Sequence, residues 1–492
     1  MKASITALFT TTFANQTRKM KARKIVIFNF SVLAALAAVC AVFPEDGIAI
    51  GNIRFELPTL HEVFTVKDNT KAKTTEEILE ERAKAVSIND DKEFKKFTET
   101  DPSRFHMPGN DISYFDELFD AMENSQNVPM RILHYGDSQL EGDRITADFR
   151  ERLQHAFGGN GVGMVPAIQP VGAMTVVQTS SKKLPQYFSY NMGEHLSNGR
   201  YGVMSQVAKL DGSVTLSFRA SSLEGVPHSK KFSKVTLVCS GNGSASINAG
   251  GQTIKMTEEQ PSVEGLKFLT ATTAQPVERV SLSASGSMEL FAVMLDGKSG
   301  ISVDNVPMRG CSGTVFTITA RKTLEPFFKH SNVKLIILQY GGNTVPYMNR
   351  EKSIQGYKSS LIAQVKLFKE IAPNAKILFI GPADMATNVK GEKQTYPQLE
   401  PTIKILKEVC AETGIAYWSL YDSMGGRNSM LQWVDANLAG KDYLHFTREG
   451  ASKVADMLFD TFLMYYKFYC KRTGKTPKNF GGDPAEARNK KK

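Results

Sequence analysis

Two rhythms of apolar and polar residues divide the chain. In the first, short apolar blocks alternate with stretches of helical period. Met130, Ile132, Leu133 and Tyr135 form one such block, which runs into Gly136-Asp137-Ser138-Gln139 and then into a helical stretch from Ile145 to Phe157. The rhythm returns with apolar blocks at 333–338, 376–380 and 415–420, separated by helical stretches at 353–371 and 399–413 and followed by a long one at 449–469. Strands alternating with helices in this way predict a parallel sheet covered by helices.

The second rhythm fills residues 175–298. Val214, Leu216 and Phe218 alternate with polar residues, as do Val235, Leu237 and Cys239, and then Val280, Leu282 and Ala284. Short alternating runs separated by Gly, Asn and Ser predict an antiparallel β-sandwich. It interrupts the α/β domain, whose two parts are then 111–174 and 299–470. No internal repeat is evident.

The flanks follow other rules. Residues 25–43 form an apolar run broken only by Asn29 and Ser31, long enough to span a bilayer, and Arg18, Lys19, Lys21, Arg23 and Lys24 precede it. The positive-inside rule keeps the basic stub 1–24 in the cytoplasm and sends the rest outward, so the expectation is a membrane anchor with the folded domains extracytoplasmic or periplasmic. Cleavage near Val39-Cys40-Ala41 and secretion is the alternative, although the run is long for a signal peptide. Residues 44–110 are charged and poorly periodic, with a helix candidate at 75–85, and read as a linker. Residues 471–492 read as a basic disordered tail.

Composition changes this picture little. With 492 residues, 41% hydrophobic and 22% charged, the chain is globular and divides into two or three units. The net charge of +10 comes from the ends, since residues 1–24 and 471–492 each carry +6 and leave the body at −2. A body without basic excess excludes a general nucleic-acid role. Cys239, Cys311, Cys410 and Cys470 show no metal-ligand spacing and read as buried thiols, with a Cys410–Cys470 bridge as the alternative.

The candidate chemistry lies in the first rhythm. A serine becomes a nucleophile when its hydroxyl is exposed and a base can take its proton, and a strand-to-helix turn such as that of Ser138 exposes a side chain at the sheet's carboxyl edge. Among eight histidines, His445 follows Asp442 by three residues in a loop before the last helix, an offset at which a carboxylate can fix the imidazole tautomer. Acyl transfer also needs donors for the oxyanion. Asn343 can offer its amide from the loop Tyr340-Gly341-Gly342-Asn343, and Gly313 its backbone N–H from Arg309-Gly310-Cys311-Ser312-Gly313. Each block alone is an ordinary turn.

Their order is more telling. Gly-Asp-Ser after the first strand, a glycine loop, Gly-Gly-Asn after a later strand and Asp-x-x-His before the terminal helix together resemble the SGNH, or GDSL, hydrolase family. The resemblance covers about 111–170 and 300–470. It implies a flavodoxin-like three-layer α/β fold, Ser138 as nucleophile, His445 as base, Asp442 as its orienting acid, and Gly313 and Asn343 as oxyanion donors with the Ser138 N–H. Gly310 is the alternative to Gly313, and Gln139 stands where many members carry leucine. Gln139, Arg144, Arg309 and Gly310 are candidate substrate contacts, and Trp418 and Trp433 candidate sugar platforms.

Large β-insertions and an exported anchor look like the cell-envelope branch that moves O-acetyl groups on peptidoglycan and other glycans. The expected activity is therefore an extracytoplasmic carbohydrate O-acetylesterase acting on an acetylated glycan, with no metal or organic cofactor. The alternatives are a glycan O-acetyltransferase with the same triad, working with or without a partner acyltransferase, and a non-catalytic glycan-binding envelope protein.

Overall fold

The computed structural model describes residues 90–478 apart from 191–192 and 264, together with isolated positions from 27 to 77. The chain divides into two units, Met1–Ala72 and Lys73–Lys492. In the first, the described residues form an antiparallel ladder of Ile48–Ile50 with Ile53–Phe55. Most of the expected membrane segment 25–43, the stub 1–24, most of the helix candidate 75–85 and the tail from 479 lie outside the described residues. Among the described residues no helix is long and apolar enough to cross a membrane.

The second unit is built on five parallel strands: β1 (Met130–Gly136), β2 (Ile301–Pro307), β3 (Val333–Gln339), β4 (Lys376–Ile380) and β5 (Ala416–Trp418). They lie in the order β2-β1-β3-β4-β5, and Phe105–His106 adds an antiparallel edge beside β5. Every residue of β1 is buried, because helices cover both faces of the sheet. The longer helices are α1 (Asp91–Thr100), α2 (Asp116–Glu123), α3 (Thr146–Phe157), α4 (Arg321–His330), α5 (Glu351–Ile371), α6 (Leu399–Thr413) and α7 (Arg448–Thr473).

The strand period of two assigns the side chains to layers. Ile132, Leu335 and Leu378 pack with Phe149 of α3 and with Leu458 and Phe462 of α7. Their neighbours Leu133, Ile336 and Phe379 pack with Phe327 of α4, Phe368 of α5 and Leu406 of α6. This is a parallel sheet covered by helices, as the first rhythm predicts, in the three-layer α/β arrangement that the resemblance implies. Cys410 lies in one layer and Cys470 in the other, and all four described cysteines are buried free thiols. The Cys410–Cys470 bridge is therefore not formed.

The end of the expected linker belongs to the fold instead. Phe94 of α1 stacks on Phe468 of α7 with centroids 3.7 Å apart, and Phe97 and Phe105 enter the same core. A charged amphipathic helix with only two buried positions gives little apolar signal, which is why its sequence reads as a stalk.

The inserted β-region is a nine-stranded antiparallel sheet. Its alternation is as predicted: Val214, Leu216, Phe218, Leu237, Val280 and Leu282 form a core of their own. Its long strands Gln206–Ala220, Phe232–Ala249 and Arg279–Asp296 run unbroken and pair with different partners along their lengths. These three strands share a row of glycines, Gly212, Gly286 and Gly243, with φ of 88° and 129° at the first two. A Cβ at Gly286 would stand 2.2 Å from the Asn242 carbonyl oxygen. Glycine is thus required where the ladder departs from regular pleating.

The insert is fused to the α/β domain. Val238, Phe268, Phe291 and Met294 share a core with Phe316 and Phe327, and Gly163–Pro166, which precedes position 175, pairs with 292–295 of the last insert strand. At the junction the Arg131 guanidinium is buried against Asp296 of that strand and Asp304 of β2, the latter at 2.6 Å. Asp304 also accepts the Met164 N–H at 2.7 Å.

Removing one partner from this triad leaves buried charge uncompensated. Arg131→Met is expected to cost about 3–5 kcal/mol in denaturant unfolding. A loss of under about 1 kcal/mol, the scale of an exposed pair, would show that the junction is solvated and the triad dispensable.

Candidate active site

The site forms where loops leave the carboxyl ends of β1 and β3, on either side of the point at which the strand order reverses. β1 ends at Gly136, where a Cβ would stand 2.7 Å from Leu140 Cδ1 and 3.1 Å from the Gln339 carbonyl oxygen. The chain then enters a tight turn, Ser138–Asp143, capped by Asp137, whose Oδ1 accepts the Gln139 N–H at 2.9 Å. This turn presents Ser138 to a cleft.

His445 reaches it from the other end of the sequence. Thr447 caps α7 by accepting the Gly450 N–H, and Gly450 lets the helix start lie against Leu438, whose carbonyl oxygen would be 1.8 Å from a Cβ there. The loop between is closed by the Gly440 N–H donating to the His445 carbonyl at 2.8 Å, and Tyr443 takes a left-handed conformation with φ of 56°. His445 Nε2 then lies 2.8 Å from Ser138 Oγ, and His445 Nδ1 lies 2.8 Å from Asp442 Oδ2. Asp442 Oδ1 accepts the N–H groups of Leu444 and His445, each at 3.1 Å. Partial burial pushes the Asp442 carboxyl upward, but the hydrogen bonds from the His445 ring and these N–H groups outweigh it and hold the carboxyl below its ordinary range. An imidazole held on one nitrogen by a carboxylate and facing a serine hydroxyl with the other can take up the serine proton.

Asn343 enters the same cleft from the turn after β3, next to Gly341 with φ of 123°. Its Nδ2 donates to Asp137 Oδ2 at 3.1 Å and to the Cys311 carbonyl at 3.2 Å. Burial lifts the Asp137 carboxyl to a pKa of about 6, against the hydrogen bonds it accepts from Gln139 and Asn343. The Gly313 N–H donates to Cys311 Sγ at 3.3 Å, a weak acceptor that an oxyanion would readily replace. Gly313 packs over Tyr340, and a Cβ there would be 2.6 Å from the ring, whereas the Cβ position at Gly310 is open. The cleft holding Ser138 and Asn343 has a volume of about 220 Å³ and is bounded by Pro346, Tyr347, Met385 and Leu444.

The remaining candidates separate. Gln139 is buried and acts across the site: its Nε2 donates to the Leu444 carbonyl at 2.7 Å and its Oε1 accepts the Phe446 N–H at 3.4 Å, so one carboxamide grips the backbone on both sides of His445. Arg144 donates to the carbonyls of Glu141 and Phe446 and so braces the Ser138 turn against the His445 loop. Arg309 is 74% exposed, with Nη1 3.6 Å from Glu141 Oε1. Trp418 and Trp433 are fully buried and donate to the carbonyls of Ser103 and Met424, so neither offers a sugar platform. The sequence reading missed the part of Asp137 in holding Asn343. Its one signal is the carboxylate two residues before the Gln139 N–H that it caps.

Residues 273–453 match the model of the GDSL-like lipase/acylhydrolase family. The match includes Gly313, Asn343, Asp442 and His445 and begins downstream of Ser138, within the insert. No curated protein sequence matches the chain. Among solved structures, one described as a peptidoglycan O-acetylesterase in action superposes with a TM-score of 0.58 at 20% identity, covering 73% of this chain and 97% of that one. A putative GDSL-like lipase from Parabacteroides merdae superposes with a TM-score of 0.26 at 16% identity, covering 33% of this chain and 74% of that one.

The Gln139 grip predicts a kinetic signature. Gln139→Leu removes both bonds to the His445 loop and is expected to lower kcat by about 10- to 100-fold, the range that a misplaced catalytic group costs, with KM within about twofold. Gln139→Glu, which cannot donate to the Leu444 carbonyl, should fall between. Melting temperature and phosphonate labelling of Ser138, measured beside kcat, separate misplacement from unfolding. Full kcat in a folded Gln139→Leu would remove the grip from the mechanism.

Proposed function

We infer, from the premise that this chain carries a GDSL-type serine hydrolase domain, that it is a carbohydrate O-acetylesterase of the SGNH type acting on a cell-envelope glycan. The observation that carries this reading is the unbroken chain Ser138–His445–Asp442, with both contacts at 2.8 Å, opening on a cleft of about 220 Å³. That volume lies below the range of sites for drug-sized ligands and suits a short acyl group. The likeness to the peptidoglycan O-acetylesterase favours peptidoglycan or a related polymer as the substrate.

In the proposed reaction Ser138 Oγ attacks the acetyl carbonyl carbon while His445 Nε2 takes the hydroxyl proton. The negative charge on the carbonyl oxygen is held by the Ser138 and Gly313 N–H groups and by Asn343 Nδ2, which exchanges its longer bond to the Cys311 carbonyl for one to the oxyanion. Collapse breaks the bond to the sugar oxygen, which receives the proton from His445. Water then gives a proton to His445 and attacks acetyl-Ser138, and the proton returns to Ser138 as acetate leaves. Asp442 keeps the Nδ1 proton in place and stabilises the imidazolium.

The apolar run 25–43 behind a basic stub supports a membrane-anchored enzyme with its catalytic domain outside the cytoplasm, where such glycans lie. A glycan O-acetyltransferase would share every step up to acetyl-Ser138 and replace water by a sugar hydroxyl.

O-acetylated peptidoglycan incubated with the protein should release acetate, and Ser138→Ala should reduce release to background. Asn343→Ala should lower turnover by about 10²- to 10³-fold with little change in KM, as loss of one oxyanion donor does. Net acetylation of an added glycan acceptor from an aryl acetate, in preference to acetate release, would replace the esterase reading by the transferase. Full turnover by folded Ser138→Ala would end both.

A further inference from the structure

The turn that carries Ser138 has a second side. Ser138 and Gln139 line the catalytic cleft, whereas Glu141 lines a separate cavity of about 320 Å³ between the turn and the inserted sheet. The insert side of this cavity is apolar and aromatic. Met164 and Val165 contribute to it, and so do Phe188 and Tyr190, whose rings meet edge to face with centroids 5.5 Å apart.

The hydrolase side is polar and incompletely paired. Glu141 Oε1 is buried with no hydrogen-bond partner, and the nearest cation, Arg309 Nη1, lies 3.6 Å away, too far for a hydrogen bond. Such an acceptor is costly until a donor reaches it. Arg309 is exposed enough to move aside. The cavity also adjoins the oxyanion loop: burial, with the nearby Cys311 and Glu141, pushes the Tyr190 phenol well above its ordinary range, and Cys311 is the residue whose carbonyl holds Asn343.

A pyranose ring has an apolar C–H face and a rim of hydroxyls, which complement an aromatic wall facing a carboxylate and a guanidinium. A volume at the low end for ligand pockets suits one ring and not a longer chain. We propose that this cavity is a sugar subsite, in which one pyranose residue of the glycan stacks on Phe188 and Tyr190 and hydrogen-bonds through its hydroxyls to Glu141 and Arg309. The proposal rests on the glycan esterase reading for its choice of ligand. It gives the insert a direct part in choosing the substrate.

Binding and turnover test the two readings separately. A β-1,4-linked N-acetylglucosamine tetrasaccharide, titrated calorimetrically into the full-length Ser138→Ala protein, should bind. Phe188→Ala, which removes half the aromatic wall, and Ala173→Phe, which fills the cavity, should each weaken that binding at least tenfold while melting temperature is kept. In catalytically intact protein the same variants should lower kcat/KM on O-acetylated glycan at least tenfold relative to kcat/KM on an aryl acetate. Undiminished tetrasaccharide affinity in both folded variants, or no binding by the Ser138→Ala parent, would overturn the subsite. Failure of the esterase reading would look different: an aryl acetate is hydrolysed and O-acetylated glycan is not, while the binding results stand.

Discussion

The buried Arg131 guanidinium is the contact on which the rest of the molecule depends. β1 and β2 are neighbours in the sheet, yet the chain leaves β1 at Gly136 and does not enter β2 until Ile301, having built another sheet in between. Arg131 on β1 meets Asp304 on β2 and Asp296 on the last insert strand, and Asp304 takes the N–H of Met164 on the first insert strand. Four strands from both parts of the fold therefore converge on one ion cluster. Buried ions are costly unless paired in good geometry, so a shifted register of β1 against β2 would strand charge in the core. That register matters for chemistry, because β1 delivers Ser138 and β2 leads into Cys311 and Gly313.

Within this frame the nucleophile turn acts as a hub. The two side chains flanking Ser138 point to different loops: Asp137 receives the amide of Asn343 after β3, and Gln139 holds the backbone on both sides of His445 before α7. The elements they join are more than 200 residues away in sequence, at separations of 206, 305 and 307. Neither flanking residue takes part in the bond changes proposed for Ser138. Their effect is to fix three loops relative to one hydroxyl, and placement of that kind can supply a large part of a barrier reduction.

How much of this was legible in the sequence depended on the range of the interaction. β3, β4 and helices α3, α5, α6 and α7 appeared at nearly their observed bounds, because apolar periodicity reports burial residue by residue. Asp442 and His445 were legible as a pair because their contact spans three residues, and Ser138 because a strand-to-turn transition is local. The grip of Gln139 left no trace, since a carboxamide reaching over 300 residues along the chain has no spacing to read. The α1 region was hidden because only Phe94 and Phe97 of that helix are buried. The continuity of the long insert strands was hidden for a third reason: alternation shows which face is buried, not whether strands continue past their glycines.

Solvent access bears on the choice between water and sugar as acceptor. In the triad, Asp442 has a side chain 51% exposed and His445 one 35% exposed, while Asp137 beneath them is buried. An acyl-enzyme that must wait for a sugar hydroxyl survives only where water is kept from the base, and His445, about a third exposed in the free protein, does not keep it away by itself. The same exposure means that the carboxylate acts less through a strong field in a dry interior than by fixing the imidazole's tautomer and orientation, for which its two backbone N–H donors hold it still. An orienting acid suffices for hydrolysis, because the second nucleophile is always at hand. A transferase built on these residues would need something further, a cover over His445. Water access at His445, set by what covers it when substrate is bound, is therefore what separates hydrolysis from transfer at this site.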